Sequence, residues 1–305
     1  VRDPKVFACE GRYYMVLGAR TVEDRGEVLV LESEDKYTWR HTNTLTTPEP
    51  FGFMWECPDL FQLDGQWFLA VSPQGIECQN VYGCGYFPIY GDWRRDCILG
   101  DFYHADFGFD YYAPQSFTDE TGRRIQIGWM GMPDAAYGNA ATVAYGWQHC
   151  MTVPRELTAG AGGVVLQQPA REIEHHYASV RVGAGSLEVA GDTCFDVVVD
   201  GVDGAFTATV DGELKLAFVP AGDELPSRFE MRFTDEGRAS AGCGRTVRWE
   251  PVDEVRNVRI VGDVSSVEVF VNDGSLVFST RIYPEAYGVT VDTPGANVTY
   301  HALNI

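Results

Sequence analysis

The chain has 305 residues, 45% of them hydrophobic, enough for two sizeable cores and unlike the make-up of a disordered or fibrous protein. Against 44 acidic residues stand 23 basic ones, a formal charge of −21, which opposes binding to nucleic acid or to an anionic membrane surface and favours a small, locally recognised substrate. No apolar run is long enough to span a bilayer as a helix. Eight cysteines (Cys9, Cys57, Cys78, Cys84, Cys97, Cys150, Cys194, Cys243) lie scattered, with no Cys-x-x-Cys pair and no Cys/His cluster at zinc spacing, so neither a metal site nor a cofactor is expected. In a chain of this size such cysteines read as reduced core thiols, which favours the cytoplasm. The opening Val1-Arg2-Asp3-Pro4 has no initiator Met and leaves secretion open.

In chain order, the first signal is a repeat. Three segments begin alike, Asp3-Pro4-Lys5-Val6-Phe7, Cys57-Pro58-Asp59-Leu60-Phe61 and Ala113-Pro114-Gln115-Ser116-Phe117, with prolines 54 and 56 residues apart. Each is followed by a glycine turn (Gly11, Gly65, Gly122) and a strand-like run: Tyr13 to Leu17, Trp67 to Val71, Arg124 to Trp129. Later in each unit stands a tryptophan, Trp39, Trp93 or Trp147, whose recurrence marks it as a packing residue. Short β-rich runs that repeat at about fifty residues are how four-stranded propeller blades look in sequence. Three blades do not close a ring, since propellers have about four to eight, so the chain is expected to begin inside its first domain with an exposed blade edge.

After Thr152-Val153-Pro154-Arg155-Glu156-Leu157 the composition turns to Ala159-Gly160-Ala161-Gly162-Gly163, then Gln167-Gln168-Pro169 and a helix-like piece ending His175-His176. Beyond Ser179, polar and apolar residues alternate around hairpin signals such as Asp211-Gly212 and Asn272-Asp273-Gly274. Strands without intervening helices predict a β-sandwich. The expected layout is a partial propeller catalytic domain over 1–165, a linker over 166–178 and a sandwich over 179–305.

One acidic residue stands out in the first domain. Glu56 lies in Phe51-Gly52-Phe53-Met54-Trp55-Glu56-Cys57-Pro58-Asp59-Leu60-Phe61, among aromatic and apolar neighbours. A carboxyl withdrawn from water by such neighbours keeps its proton to higher pH, because desolvation penalises the charged form, and can donate it near neutrality.

Several stretches together resemble glycoside hydrolase family 32, which includes invertases, sucrose-6-phosphate hydrolases and fructanases. They are Arg2-Asp3-Pro4, Trp55-Glu56-Cys57-Pro58-Asp59-Leu60-Phe61, Phe109-Asp110-Tyr111-Tyr112-Ala113-Pro114-Gln115, Ile127-Gly128-Trp129-Met130, Thr152 to Leu157, and Val267 to Pro284 with Arg281-Ile282-Tyr283-Pro284. The resemblance implies an all-β fold, a five-bladed propeller followed by a C-terminal β-sandwich, of which about three blades are present here. It implies cleavage of β-fructofuranosidic bonds, in sucrose or sucrose 6-phosphate, by double displacement with retention and without metal or cofactor. Glu56 matches the general acid/base and Asp3 the acid that steadies the oxocarbenium-like transition state, with Arg2 beside it expected to keep Asp3 ionised. Asp110 and Tyr112 fall in a stretch that resembles a sugar-lining part of the family's pocket, and Trp129 reads either as part of the pocket's hydrophobic wall or as a blade-core tryptophan. His149 matches no catalytic role and reads as a structural histidine.

A retaining enzyme also needs a carboxylate nucleophile. In the family it belongs to a Trp-Met-Asn-Asp-Pro-Asn-like motif, and no such string occurs in these residues, so the chain alone is expected to be inactive. The stretch Gly146 to Leu157 is similar to that of bacterial intracellular members and favours sucrose 6-phosphate. Two other readings stay open, a non-catalytic carbohydrate-binding protein that lacks the nucleophile and a fructosyltransferase. The expected partner is a small sugar, with oligomeric state left open.

Overall fold

A computed structural model describes residues 1–135, 140–234 and 246–304 of the chain. Cys243 lies outside the described residues, and none of the other seven cysteines is in a disulfide. Among the described residues no helix is long and apolar enough to cross a membrane.

The N-terminal half forms three antiparallel sheets of the repeated kind. The first has the order β1 (Arg2–Cys9), β2 (Arg12–Arg20), β3 (Gly26–Ser33), β4 (Arg40–Leu45). The second runs β5 (Met54–Leu63), β6 (Gln66–Gln74), β7 (Gly85–Asp92), β8 (Asp96–Leu99), with the two-residue β9 (Tyr103–His104) also pairing β7. The third runs β10 (Tyr112–Thr118), β11 (Arg124–Trp129), β12 (Arg155–Ala159), β13 (Val165–Pro169). The repeat therefore marks where each sheet starts, and the glycine turns are the first hairpins. Glu10-Gly11 and Asp64-Gly65 both take positive φ at the two central positions, the geometry that matches strand twist in a two-residue hairpin.

Alternation along the strands sets the packing. Tyr14, Val16, Val28 and Val30 of the first sheet meet Trp55, Leu60, Leu69, Phe87 and Trp93 of the second in one core. Phe61, Phe68 and Tyr86 of the second sheet meet Leu157 and Val165 of the third in another. Equivalent repeat positions behave alike where a neighbouring sheet exists. Phe7 packs on Trp67 and Trp93 of the second sheet, and Phe61 is 1% exposed under the third. Their counterpart Phe117, with no following sheet, is 52% exposed. On the opposite faces Leu60 is buried against the first sheet, whereas its counterpart Val6 is 46% exposed. Of the recurring tryptophans, only Trp93 has the expected buried packing role. Trp39 is half-buried, its indole N–H donating to the Lys36 carbonyl at 3.0 Å, and Trp147 is 48% exposed in a segment outside the sheets.

The rest of the chain pairs as β14 (Tyr177–Ala190), β15 (Phe195–Asp200), β16 (Thr207–Val210), β17 (Leu214–Val219), β18 (Arg228–Phe233), β19 (Val247–Pro251), β20 (Asn257–Asp263), β21 (Ser266–Val271), β22 (Leu276–Arg281) and β23 (Gly288–Leu303). Along one edge β23 pairs β16 through Val289–Asp292 and β15 through Asn297–Ala302. The long strand is thus shared by two sheets, β19-β18-β17-β16 on one side and β15-β20-β21-β22 on the other. Their inner faces close on one core, where Phe229 of β18 meets Phe278 of β22 at 5.3 Å between ring centroids. This is the sandwich expected from the alternating pattern.

By its contacts the chain divides into two compact units: Val1–Ala105, Tyr112–Trp129 and Leu157–Val165 form one, and Asp106–Tyr111, Met130–Glu156 and Leu166–Ile305 the other. The second unit thus recruits two segments from ahead of residue 165 as well as the sandwich strands.

Candidate active site

The innermost strands of the three sheets share a distortion. The residue before each repeated proline, Asp3, Cys57 or Ala113, has a φ of 56°, 49° or 52°. A pre-proline residue normally stays extended, and a non-glycine residue at positive φ is held at a cost of about 1–2 kcal/mol. At the same places the ladders slip, between Arg2 and Lys5, Glu56 and Asp59, and Tyr112 and Gln115. Each is a β-bulge, which bends its strand and re-aims the adjoining side chains.

The residues immediately before the three distorted positions are Arg2, Glu56 and Tyr112, and their side chains meet. Arg2 Nη1 donates to Glu56 Oε1 at 2.5 Å, and Tyr112 O–H donates to Glu56 Oε2 at 2.7 Å. Gln74, at the end of β6, adds an amide donor to Oε2 at 3.1 Å. The Glu56 side chain is 12% exposed while that of Arg2 is 56% exposed, so the cluster is covered on one side and open on the other. Asp3 sits alongside, its Oδ2 accepting the Cys57 backbone N–H at 3.0 Å and facing the Cys57 thiol at 3.6 Å.

Two expectations change. The arginine beside Asp3 is paired with Glu56, because the bulge turns Arg2 and Asp3 in different directions, and Asp3 is held by a backbone donor instead. The setting of Glu56 is also not the apolar one its neighbours in sequence suggest. Trp55 and Phe61 belong to the cores between sheets, Trp55 with no exposure, while the carboxylate meets an arginine, an amide and a phenol.

Electrostatics follow from burial and from the two acids. Burial, then the charges of Asp3 and Glu56, push the Cys57 thiol up to about 12, so it stays protonated and is no nucleophile. Burial and the Glu56 carboxylate also raise Tyr112, keeping it a donor.

Trp129 stands directly opposite Tyr112 in the third sheet and is half-buried. Asp110 belongs to the second unit. It is fully buried, and its Oδ2 accepts the Arg281 backbone N–H at 2.9 Å and the Thr280 hydroxyl at 3.3 Å, a setting that anchors β22. His149, also in the second unit, has its charged form disfavoured by burial and then by the Arg281 guanidinium. Gln74 was not legible as a site residue. Its sequence signal is weak, and only the pairing of Met54 with Gln74 brings it beside Glu56. Among the described residues no group of three or more His, Cys, Asp or Glu side chains converges on a metal-sized site.

Repeated four-stranded blades, a following sandwich, and a carboxyl at one blade start held by donors from the other two and from the end of β6 define a propeller protein with a polar cluster on its innermost strands. Residues 1–169 match the glycosyl hydrolases family 32 N-terminal domain, and residues 228–305 match the family 32 C-terminal domain. The chain belongs to glycosyl hydrolase family 32. It is 35% identical over 303 residues to a sucrose-6-phosphate hydrolase of Bacillus subtilis (strain 168), covering 93% of this chain and 61% of that protein. It is 33% identical to a raffinose invertase of Escherichia coli, covering 93% of this chain and 62% of that protein. Among solved structures, sucrose-6-phosphate hydrolase from Lactobacillus gasseri superposes with a TM-score of 0.88 at 23% identity, over 99% of this chain and 66% of that one. The β-fructofuranosidase BmSUC1 of Bombyx mori, also solved as a mutant in complex with sucrose, gives 0.81 at 25% identity, over 99% of this chain and 66% of that one. The chain therefore spans about three fifths of the length of these curated relatives.

Proposed function

We propose that these residues carry the acid/base part of a retaining β-fructofuranosidase acting on sucrose or sucrose 6-phosphate. The observation that carries the reading is the convergence of Arg2, Gln74 and Tyr112 on the Glu56 carboxyl, with Asp3 alongside. Glu56 protonates the glycosidic oxygen as the bond to the fructosyl ring breaks, then takes a proton from the water that releases fructose. Asp3 accepts from fructosyl hydroxyls and faces the positive charge that develops on the ring. Arg2, Tyr112 and Trp129 border the sugar. The covalent nucleophile is supplied by residues outside these 305, in keeping with the share of the relatives that the chain spans. The open faces at Val6 and Phe117 are where further blades would seat.

In modular terms 1–165 is the catalytic part and 179–305 a sandwich, while of the expected linker 166–178 the first residues complete β13 and the remainder leads on to β14. The preference for sucrose 6-phosphate over sucrose rests on the names of the relatives, and a cytoplasmic setting on those names and on the lack of a disulfide among the seven described cysteines.

The test is kinetic. The product of the full reading frame is expected to hydrolyse both substrates with retention, and Glu56→Gln to lower kcat/KM by about 10²–10⁴-fold with the fold intact. Sugar binding without turnover in the unaltered protein would replace this reading by that of a binding module. Fructosylated sucrose as the main product would make it a transferase.

A further inference from the structure

Antiparallel pairing sets the start of β5 beside the end of β6, Met54 opposite Gln74 and Glu56 opposite Ser72. The chain leaving β6 therefore rises at the same end of the second sheet as Glu56. That connection, residues 75–84 between β6 and β7, is ten residues long, whereas its counterpart in the first sheet, residues 21–25, is five. Connections in compact domains are mostly short, and a longer one with its own fastenings is commonly a binding loop.

This loop is fastened at several points. The Cys78 thiol donates to the Asn80 carbonyl at 3.2 Å, and the Cys84 carbonyl accepts the Ala105 backbone N–H at 3.0 Å. At Gly75 (φ 82°) a Cβ would come within 2.5 Å of the Phe53 ring, so the loop leaves β6 through a position only glycine fits. Within the loop the Tyr82 ring, half-buried, lies 6.2 Å from the Tyr112 ring at an interplanar angle of 42°. Tyr112 in turn donates to Glu56 Oε2. One ring thus separates Tyr82 from the acid.

An acid that protonates a glycosidic oxygen stands on the leaving-group side of the bond. We propose that Tyr82 is a specificity-determining residue whose ring forms the wall for the leaving-group sugar, on the loop that also carries Gln79 and Asn80. A flat, partly exposed ring suits the apolar face of a pyranose, and amide-bearing residues on the same loop suit its hydroxyls. The inference rests on the function proposed above, since without glycosidic cleavage there is no leaving group.

The test uses the product of the full reading frame and two substrates with the same fructosyl group, sucrose and methyl β-D-fructofuranoside. Tyr82→Leu is expected to raise KM for sucrose by about 10-fold, the scale of one lost apolar pocket contact, with the methyl fructoside within twofold. Tyr82→Phe keeps the ring and is expected to restore the sucrose KM. The pH–rate profile is expected to stay in place, because Tyr82 packs on the Tyr112 ring, and it is Tyr112 that itself donates to the acid. Equal losses on both substrates, or a displaced pH profile, would assign Tyr82 to holding Tyr112 and overturn the proposal. If Tyr82→Leu fails to fold, Tyr82→Trp decides: it enlarges the wall, and an unchanged ratio of the two kcat/KM values counts against the proposal. No cleavage of any fructoside by the unaltered protein would bring down the proposed function, and this inference with it.

Discussion

Both oxygens of Glu56 are engaged, Oε1 by a half-exposed guanidinium and Oε2 by a phenol and an amide within the covered side of the cluster. The Oε2 donors come from strand positions, so they fix the orientation of the carboxyl, and Oε1 faces the more exposed Arg2. Tyr112→Phe keeps the ring and removes one of these donors. It is expected to lower kcat about 10-fold in the full reading-frame product with KM within twofold, because misplacement of a reacting group acts on the step rather than on binding. A rise in KM with kcat unchanged would mean that contact with the sugar, and not the hold on Glu56, is what Tyr112 supplies. A titrating carboxyl stands in the second unit. Glu250, on the edge strand β19, is raised to about 7 by burial. A raised carboxyl adds stability that is fully present below its unfolded value, near 4.5, and is lost as pH climbs through the folded value near 7. Glu250→Gln is therefore expected to raise Tm at pH 8 by about 2–4 °C relative to the parent, and to leave it unchanged at pH 4.5, as read by calorimetry at both pH values.

At the scale of elements, the three bulges are what turn a structural repeat into a site. Each places one side chain, and the three that meet are an arginine, a glutamate and a tyrosine, although their surrounding segments are similar. The starts of the sheets were legible because proline and glycine punctuate them at fixed spacing, and Glu56 because a carboxyl amid aromatic residues is conspicuous. The partner of Arg2 and the presence of Gln74 were not, because a bulge reverses which face a side chain takes and a one-residue slip leaves no mark in composition. The second unit holds an element-scale feature that sequence hides equally well. Arg155, fully buried, donates to Glu268 Oε2 at 2.7 Å, Asp106 Oδ2 at 3.1 Å and Gln167 Oε1 at 3.0 Å, and lies over the Tyr111 ring at 4.5 Å. These partners tie β13 and β21 to the Asp106–Tyr111 segment within one unit. Burial raises both Asp106 and Glu268, and the arginine opposes that rise. Arg155→Met strands two carboxyls without their cation and is expected to cost about 3–5 kcal/mol in urea unfolding. Replacing Arg155, Asp106 and Glu268 together by apolar residues of similar volume is expected to recover much of that loss, which separates the penalty of a stranded charge from the worth of the network.

For the molecule as a whole, net charge and exposed apolar surface act against each other. A charge of −21 keeps copies of the chain apart, and does so less as salt shortens the range of the repulsion from about 10 Å at 0.1 M to about 3 Å at 1 M. Val6 and Phe117 pull the other way, because each occupies a repeat position whose counterparts pack against an adjoining sheet. The 305-residue chain is therefore expected to be monomeric at low ionic strength and to self-associate as salt rises. Phe117→Ser combined with Val6→Thr shortens or removes the apolar groups without altering the charge, so it isolates the second effect. Sedimentation velocity across a salt series is expected to show association in the parent and little in the double variant. Equal association in both would mean that the chains meet through some other surface, and the sheet faces would then lose their standing as the seats of further blades.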